Sequence, residues 1–193
     1  MMEPLPQVDD FELQFIDTET TGRSAKKAIM MEAFCMRCNG PSLTAAAYLH
    51  TMCNPGIPCP AQARRVHKIE DWMVAHAPKE PEVCSMLHQW LSDAEKYIIV
   101  GHNIRRYDMN IISRHGFTYS NKIIDTMEMA KSAFPGKPVN QPALIKHFDL
   151  DLGGQGEAHR ARYDVMMNRL IYLRLRKFVN PSEFIKQPKK DNK

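Results

Sequence analysis

The chain has 193 residues, 26 Lys and Arg against 22 Asp and Glu, and a formal net charge of +4. That length fits one globular domain, and 44% hydrophobic with 25% charged residues excludes a chain disordered throughout. No apolar run approaches the roughly 20 residues of a membrane helix. The opening MMEPLPQVDDFELQF also lacks the basic-then-apolar order of a secretory signal, so an intracellular, cytoplasmic location with no membrane contact is expected.

The charge is uneven along the chain. Residues 1–97 carry 9 basic and 13 acidic side chains, whereas residues 98–193 carry 17 and 9. A polyanionic partner approaching the C-terminal half is one reading, and a solvated basic face is the other. The five cysteines are odd in number, which argues against a disulfide framework.

Residues 1–10 read as a flexible lead-in, residues 11–180 as a single domain and residues 181–193 as a basic, disordered tail. Phe11 to Asp17 (FELQFID) alternates apolar and polar and predicts a strand. Ala28 to Arg37 predicts a second strand, Asn39-Gly40 a tight hairpin turn, and Leu43 to Met52 a returning third strand. After Pro60, short helices are expected at Ala61 to Val66 and near Glu70. Pro81, Val83, Leu87, Trp90 and Leu91 then mark one face of an amphipathic helix. The apolar run Tyr97 to Val100 predicts a strand buried on both sides. A helix over Tyr107 to Arg114 and a strand at Lys122 to Ile124 complete a strand–helix–strand unit. Helices follow at Asp125 to Ala133, Ala143 to Phe148 and Arg162 to Phe178. An antiparallel meander followed by a βαβ unit is an α/β architecture.

Four carboxylates stand where a fold alone does not need them. Asp17 and Glu19 close the first strand, and their spacing of two puts both on one face. Asp108 follows the buried YIIV strand, and Asp164 opens the last long helix. Brought to one sheet edge, these acids need cations to remain ionised, and an all-oxygen site suits Mg²⁺ or Mn²⁺. Two such ions, about 3.5–4 Å apart, stabilise the attacking and leaving oxygens of a phosphodiester displacement. For Asp108 alone, a helix cap or solvated charge is an equal alternative.

The segments IDTETTG, GHNIRRYDMNII and HRARYDV resemble the three exonuclease motifs of the DEDDh, or DnaQ-like, 3′–5′ exonuclease superfamily. PCPAQARRVHKIEDWM and IIDTMEM resemble the segments between those motifs, so the likeness spans about residues 12 to 178. It implies a ribonuclease H-like fold, a five-stranded mixed sheet (antiparallel meander plus parallel strands) flanked by helices. It makes Asp17, Glu19, Asp108 and Asp164 the acids that hold two Mg²⁺ or Mn²⁺ ions, and His159 the general base. The loop GGQGEAHR, with Gly153, Gly154 and Gly156, is expected to let His159 move.

The resemblance also assigns substrate contacts. Thr20, Thr21, His102 and Asn103 would line the terminal-nucleotide pocket, with a helix-capping role as the alternative for Asn103. Arg23 and Tyr107 stand where relatives often have Leu and Phe, and Arg105 and Arg106 precede Tyr107. Both arginines are expected on phosphates, and Arg160, beside the third motif, on the nucleic-acid backbone.

The function implied is a two-metal 3′–5′ exonuclease releasing nucleoside 5′-monophosphates from 3′ ends of single-stranded or frayed DNA, as in repair or proofreading. An exoribonuclease that trims RNA is the first alternative, and a nucleic-acid-binding or polymerase-docking module with incidental catalysis the second. A polymerase or a second copy of the chain stays open as a protein partner. Cys35, Cys38, Cys53 and Cys59 do not suit a zinc knuckle, because the first two straddle a strand, and they are read as ordinary buried residues. His67 is read as a packing residue and Trp90 as core, while Trp72 is left open to base stacking.

Overall fold

A computed structural model of the chain describes residues 11–93, 96–154 and 158–187. The expected lead-in and Gly156 of the glycine loop lie outside the described residues. Three strands, β1 (Glu12–Thr20), β2 (Met30–Asn39) and β3 (Thr44–Met52), form the antiparallel meander. Strands β4 (Tyr97–Gly101) and β5 (Ile123–Asp125) add in parallel on the other side of β1, giving the order β3-β2-β1-β4-β5.

The helices are α1 (Ala61–His67), α2 (Asp71–Val74), α3 (Glu80–Leu91), α4 (Asp108–Ile112), α5 (Thr126–Ala133), α6 (Gln141–His147) and α7 (Ala161–Leu175). They divide between the two faces of the sheet. Leu13, Phe15, Phe34, Met36, Val100 and Ile124 face α5, α6 and α7, meeting Met129, Leu144, Val165, Ile171 and Tyr172. Ile16, Ala33, Cys35, Ile99 and Ile123 face α3 and α4, meeting Val83, Leu87, Leu91, Ile111 and Ile112. Among the described residues, no helix is long and apolar enough to cross a membrane.

The strand expected at FELQFID forms as β1, which is central, and Gln14 is fully buried, its Oε1 accepting from Arg37 Nε at 3.2 Å. Two sequence expectations change. The Asn39-Gly40 hairpin is a four-residue loop instead. Asn39 still pairs with Thr44, and Leu43 N donates to Gly40 O, because Pro41 has no N–H for a continued ladder. The expected tail from 181 begins with a 3₁₀ turn, Pro181–Phe184, capped by the Asn180 side chain. Ile123 and Lys186 then exchange two backbone hydrogen bonds of 2.9 Å, so the folded unit extends past 180. Residues 188–193 lie outside the described residues.

The five cysteines are all buried and unpaired. Trp90, on α3, is partly buried against the core on that side of the sheet, with the Arg37 guanidinium 4.4 Å above its ring, whereas Trp72 is 76% exposed.

Candidate active site

Strand parity builds the site. Leu13 and Phe15 point to the α7 face, so Asp17 and Glu19, two and four residues on, continue along that face. There they meet Asp164 in the first turn of α7. Carboxylate oxygens of Asp17, Glu19 and Asp164 all lie within 4.8 Å of one another. Among the described residues, this is the one group of His, Cys, Asp or Glu side chains converged tightly enough to share a cation.

Asp108 arrives from the other side of the sheet. Strand β4 runs parallel to β1 and ends at Gly101. A Cβ there would sit 2.6 Å from Ile104 Cβ, so only glycine allows the following loop to fold back over the strand end. Asn103, at φ +60°, turns that loop, and its amide donates to Asp125 Oδ1 at 2.9 Å. Thr18, between the two first-motif acids, points to this face. Its amide (3.0 Å) and hydroxyl (2.7 Å) both donate to Asp108 Oδ1.

A cavity of about 500 Å³ collects these groups. Asp17, Glu19, Asp108, Asp164 and His159 line it, together with Gln141 and Lys146 of α6. A second cavity of about 430 Å³ adjoins it and is lined by Thr20, Thr21, Gly22, Arg23, Val66 and His67. Thr18, Glu19, Tyr107 and His159 line both cavities and form the wall between them.

Burial and mutual repulsion raise the acids' affinity for protons. Asp17 is pushed well above the ordinary range by burial, then by Asp108, Asp164 and Glu19. Glu19 is pushed up to about 9, first by burial and then by Asp164. Asp164 rises to about 7 through burial and the charge of Glu32, with a backbone hydrogen bond from His159 opposing. Burial lifts Asp108 only to about 6, because the Thr18 bonds favour its charged form. Carboxylates that repel one another this strongly fit a hard divalent cation, which supplies the missing positive charge.

The substrate-contact expectations divide. His102 and Asn103 line the first cavity. His102 Nδ1 lies 3.0 Å from Thr126 Oγ1, and burial lowers the imidazole to about 4, keeping it neutral near pH 7. Asn103 does not cap α4, whose cap residue is Tyr107. Thr20 and Thr21 line the second cavity, but their hydroxyls are engaged within the protein. Thr20 Oγ1 donates to Gly22 O at 2.8 Å, and Thr21 Oγ1 accepts from Ile29 N at 2.9 Å.

Arg105 and Arg106 line neither cavity. Arg105 sits 3.4 Å from Glu128 Oε1, and Arg106 is exposed. Arg160, expected on the nucleic-acid backbone, instead forks onto Glu32, because that buried carboxylate needs a cation beside it. His67 is buried, and its Nδ1 accepts from Ile69 N at 3.0 Å, as a packing residue should.

Three residues make contacts that the sequence reading did not assign. Gln141 Nε2 donates to the Asp164 backbone oxygen (2.9 Å) and to its Oδ1 (3.1 Å), fixing that carboxylate. The Tyr107 hydroxyl bonds to Thr20 Oγ1 and Gly22 O, joining the first and second motifs. Glu32 is the third, and its signal was visible as the lone acid inside the apolar strand MMEAFCM.

Comparison with known proteins gives this site its relatives. A 31% identical relative over 175 residues is a DNA polymerase III subunit epsilon-like protein of Rhodobacter capsulatus, covering 87% of this chain and 24% of that one. A DNA polymerase III of the PolC type from Bacillus cereus is 28% identical over 169 residues, 84% of this chain and 11% of that one. The chain thus spans about a quarter or less of those two proteins. DNA polymerase III subunit epsilon of Rickettsia conorii is 27% identical, with 83% of this chain and 71% of that one aligned. Among solved structures, Exonuclease X in complex with 5′ overhanging duplex DNA superposes with a TM-score of 0.71 at 22% identity. That match covers 89% of this chain and 98% of the other, and it shows the shared ribonuclease H-like fold. A family model described as Exonuclease (RNase T) matches residues 15–172, and the chain belongs to that exonuclease family.

Proposed function

We propose that this protein is a metal-dependent 3′–5′ exonuclease acting on the 3′ ends of single-stranded or frayed DNA and releasing nucleoside 5′-monophosphates. The observation that carries the reading is the convergence of Asp17, Glu19 and Asp164, with Asp108 and His159 on the same cavity. The donor set is all carboxylate, which suits two Mg²⁺ or Mn²⁺ ions. When bound, such ions lower the pKa of water and neutralise charge on the phosphodiester oxygens.

The chain's own residues then have separable tasks. Asp17, Glu19 and Asp164 hold the cations from the α7 face, and Asp108 closes the site from the β4 side. His159, on the wall between the cavities, accepts a proton from the attacking water at an imidazole nitrogen. The second cavity receives the terminal nucleotide against Thr20, Thr21 and Val66, while His102 and Asn103 border the scissile side. Lys146 in the first cavity and Arg23 in the second give positive charge to opposite ends of the path, as a polyanionic strand requires. Support for DNA comes from the relatives, which are DNA polymerase III proteins. A protein of this class works inside the cell, and a polymerase is the partner that those relatives suggest.

The test is direct. Purified protein with Mg²⁺ or Mn²⁺ is incubated with 5′-labelled single-stranded DNA and, separately, RNA of the same sequence. Shortening from the 3′ end of DNA with mononucleotide release is expected. Faster loss of RNA would move the assignment to an exoribonuclease, and cleavage of neither would overturn the enzyme reading. Asp17→Asn and Asp164→Asn should each abolish turnover without unfolding the chain. His159→Ala should lower kcat by roughly 10²–10⁴-fold, the range for general acid–base catalysis.

A further inference from the structure

A carboxylate inside an apolar strand demands partners, and Glu32 has four donors around it. Its side chain is 1% exposed, and it lies directly across from Glu19 in the β1–β2 register. Oε2 accepts from Arg160 Nε at 2.9 Å and from the Ala161 amide at 3.1 Å. Oε1 accepts from Arg160 Nη2 at 2.8 Å and lies 2.8 Å from His50 Nε2. A bidentate guanidinium–carboxylate fork is strong and strict about direction.

The clamp falls at one point in the chain. Arg160 is the cap residue of α7, and Ala161 is its first helical residue. His159 immediately precedes them in a left-handed conformation, φ +61°, which a residue with a side chain holds only when its surroundings impose it. Glu32 lines neither cavity, so it does not reach the reacting atoms itself. Replacing a buried ion pair by apolar residues of similar volume is often neutral or stabilising, so direction rather than stability is the gain this fork offers.

We propose that Glu32 is a positioning residue: by clamping Arg160 and the Ala161 amide to β2, it sets the direction from which His159 enters the acidic cavity. The inference rests on the exonuclease reading, in which His159 takes the proton. Glu32 and Arg160 therefore act together with His159 and not beside it.

The experiment is a double-mutant cycle on single-stranded DNA with Mg²⁺. Glu32→Gln keeps the side-chain volume, and Arg160→Lys keeps every charge while removing the fork. Each should lower kcat by roughly 10- to 100-fold, the cost of a misplaced catalytic group. KM should stay within about twofold in both, and Mn²⁺ affinity, titrated without DNA, within about twofold in Arg160→Lys, which leaves the charge beside Asp164 in place. In a His159→Ala background, either change should lower kcat by less than about twofold, because the group it positions is gone. Losses that multiply with His159→Ala, or in Arg160→Lys either a matching loss of Mn²⁺ affinity or full activity, would each overturn the proposal. If Glu32→Gln fails to fold, Arg160→Lys carries the test, with melting temperature and near-UV circular dichroism as controls. Failure of the unaltered protein to cut any nucleic acid would overturn the exonuclease reading instead, so the two failures are distinguishable.

Discussion

Thr18 donates both its backbone amide and its hydroxyl to one oxygen of Asp108, at 3.0 and 2.7 Å, across 90 residues of chain. The residue between the two first-motif acids thereby holds the second-motif acid. Because these bonds favour the ionised carboxylate, removing one raises the pH at which Asp108 loses its proton. Thr18→Val should shift the acidic limb of the kcat/KM profile to higher pH. It should also cost about 1 kcal/mol of stability, the usual size for one hydrogen bond. A pH–rate series and a urea melt check both, and an unmoved acidic limb would show that Thr18 does not tune Asp108.

The metal-free protein should lose stability as pH rises. Asp108, Asp164 and Glu19 have folded-state values pushed up to about 6, 7 and 9 from ordinary values of 3.8, 3.8 and 4.5. Groups raised in this direction stabilise the fold fully below the ordinary carboxylate range, and that contribution is lost as pH climbs through the raised values. In EDTA, Tm should therefore fall between the ordinary range and about pH 9. Saturating Mg²⁺ or Mn²⁺ should restore it, by about 2.7 kcal/mol at a hundredfold excess over Kd. Asp17→Asn should be indifferent to added metal. Thermal melts across pH, with and without metal, read all three outcomes.

Gln141 holds Asp164 at both its backbone and side-chain oxygens. Partners of metal ligands typically matter by 10- to 100-fold in metal affinity or activity. Gln141→Ala should raise the Mn²⁺ concentration for half-maximal rate by roughly that factor, with the rate at saturating metal recovering most of its value. An unchanged metal requirement would make Gln141 a wall residue alone.

Tyr107 ties the Thr20–Gly22 turn to the loop before Asp108 and stands between the two cavities. Tyr107→Phe keeps the ring and deletes both bonds. KM for single-stranded DNA should rise by roughly 2- to 10-fold, as expected for one hydrogen bond lost from a binding site. kcat should stay close to that of the unaltered protein. A kcat loss with unchanged KM would instead place Tyr107 with the metal ligands' support.

The sequence shows these layers unequally. Asp17, Glu19, Asp108 and Asp164 stood out in the sequence as a set, through the three motif-like segments that carry them, although an acid in a helix first turn is ordinary when taken alone. The order of strands and helices was legible from periodicity. The partners of Glu32 and Gln141 were not, because they lie 128 and 23 residues away and no local spacing encodes such pairs. The same kind of long-range pairing joins Arg160 to Glu32, a partner that no local spacing shows. Tyr107 was noticed only as a departure, since a phenol's use depends on what stands within reach of its oxygen. The hairpin at Asn39-Gly40 formed with a longer loop than expected for a local reason, the proline that follows.

The pairing of Ile123 with Lys186 covers the outer side of β5, a strand of three residues. That strand ends in Asp125, whose carboxylate holds the Asn103 amide and so the loop leading to Asp108. The last described stretch of backbone and the second-motif acid are therefore links in one chain of support. A shortened protein ending before Lys186 would bare a sheet margin, and slackness there would reach the catalytic loop by way of Asp125. Boundary choice in any expression of this domain is thus a choice about its active site.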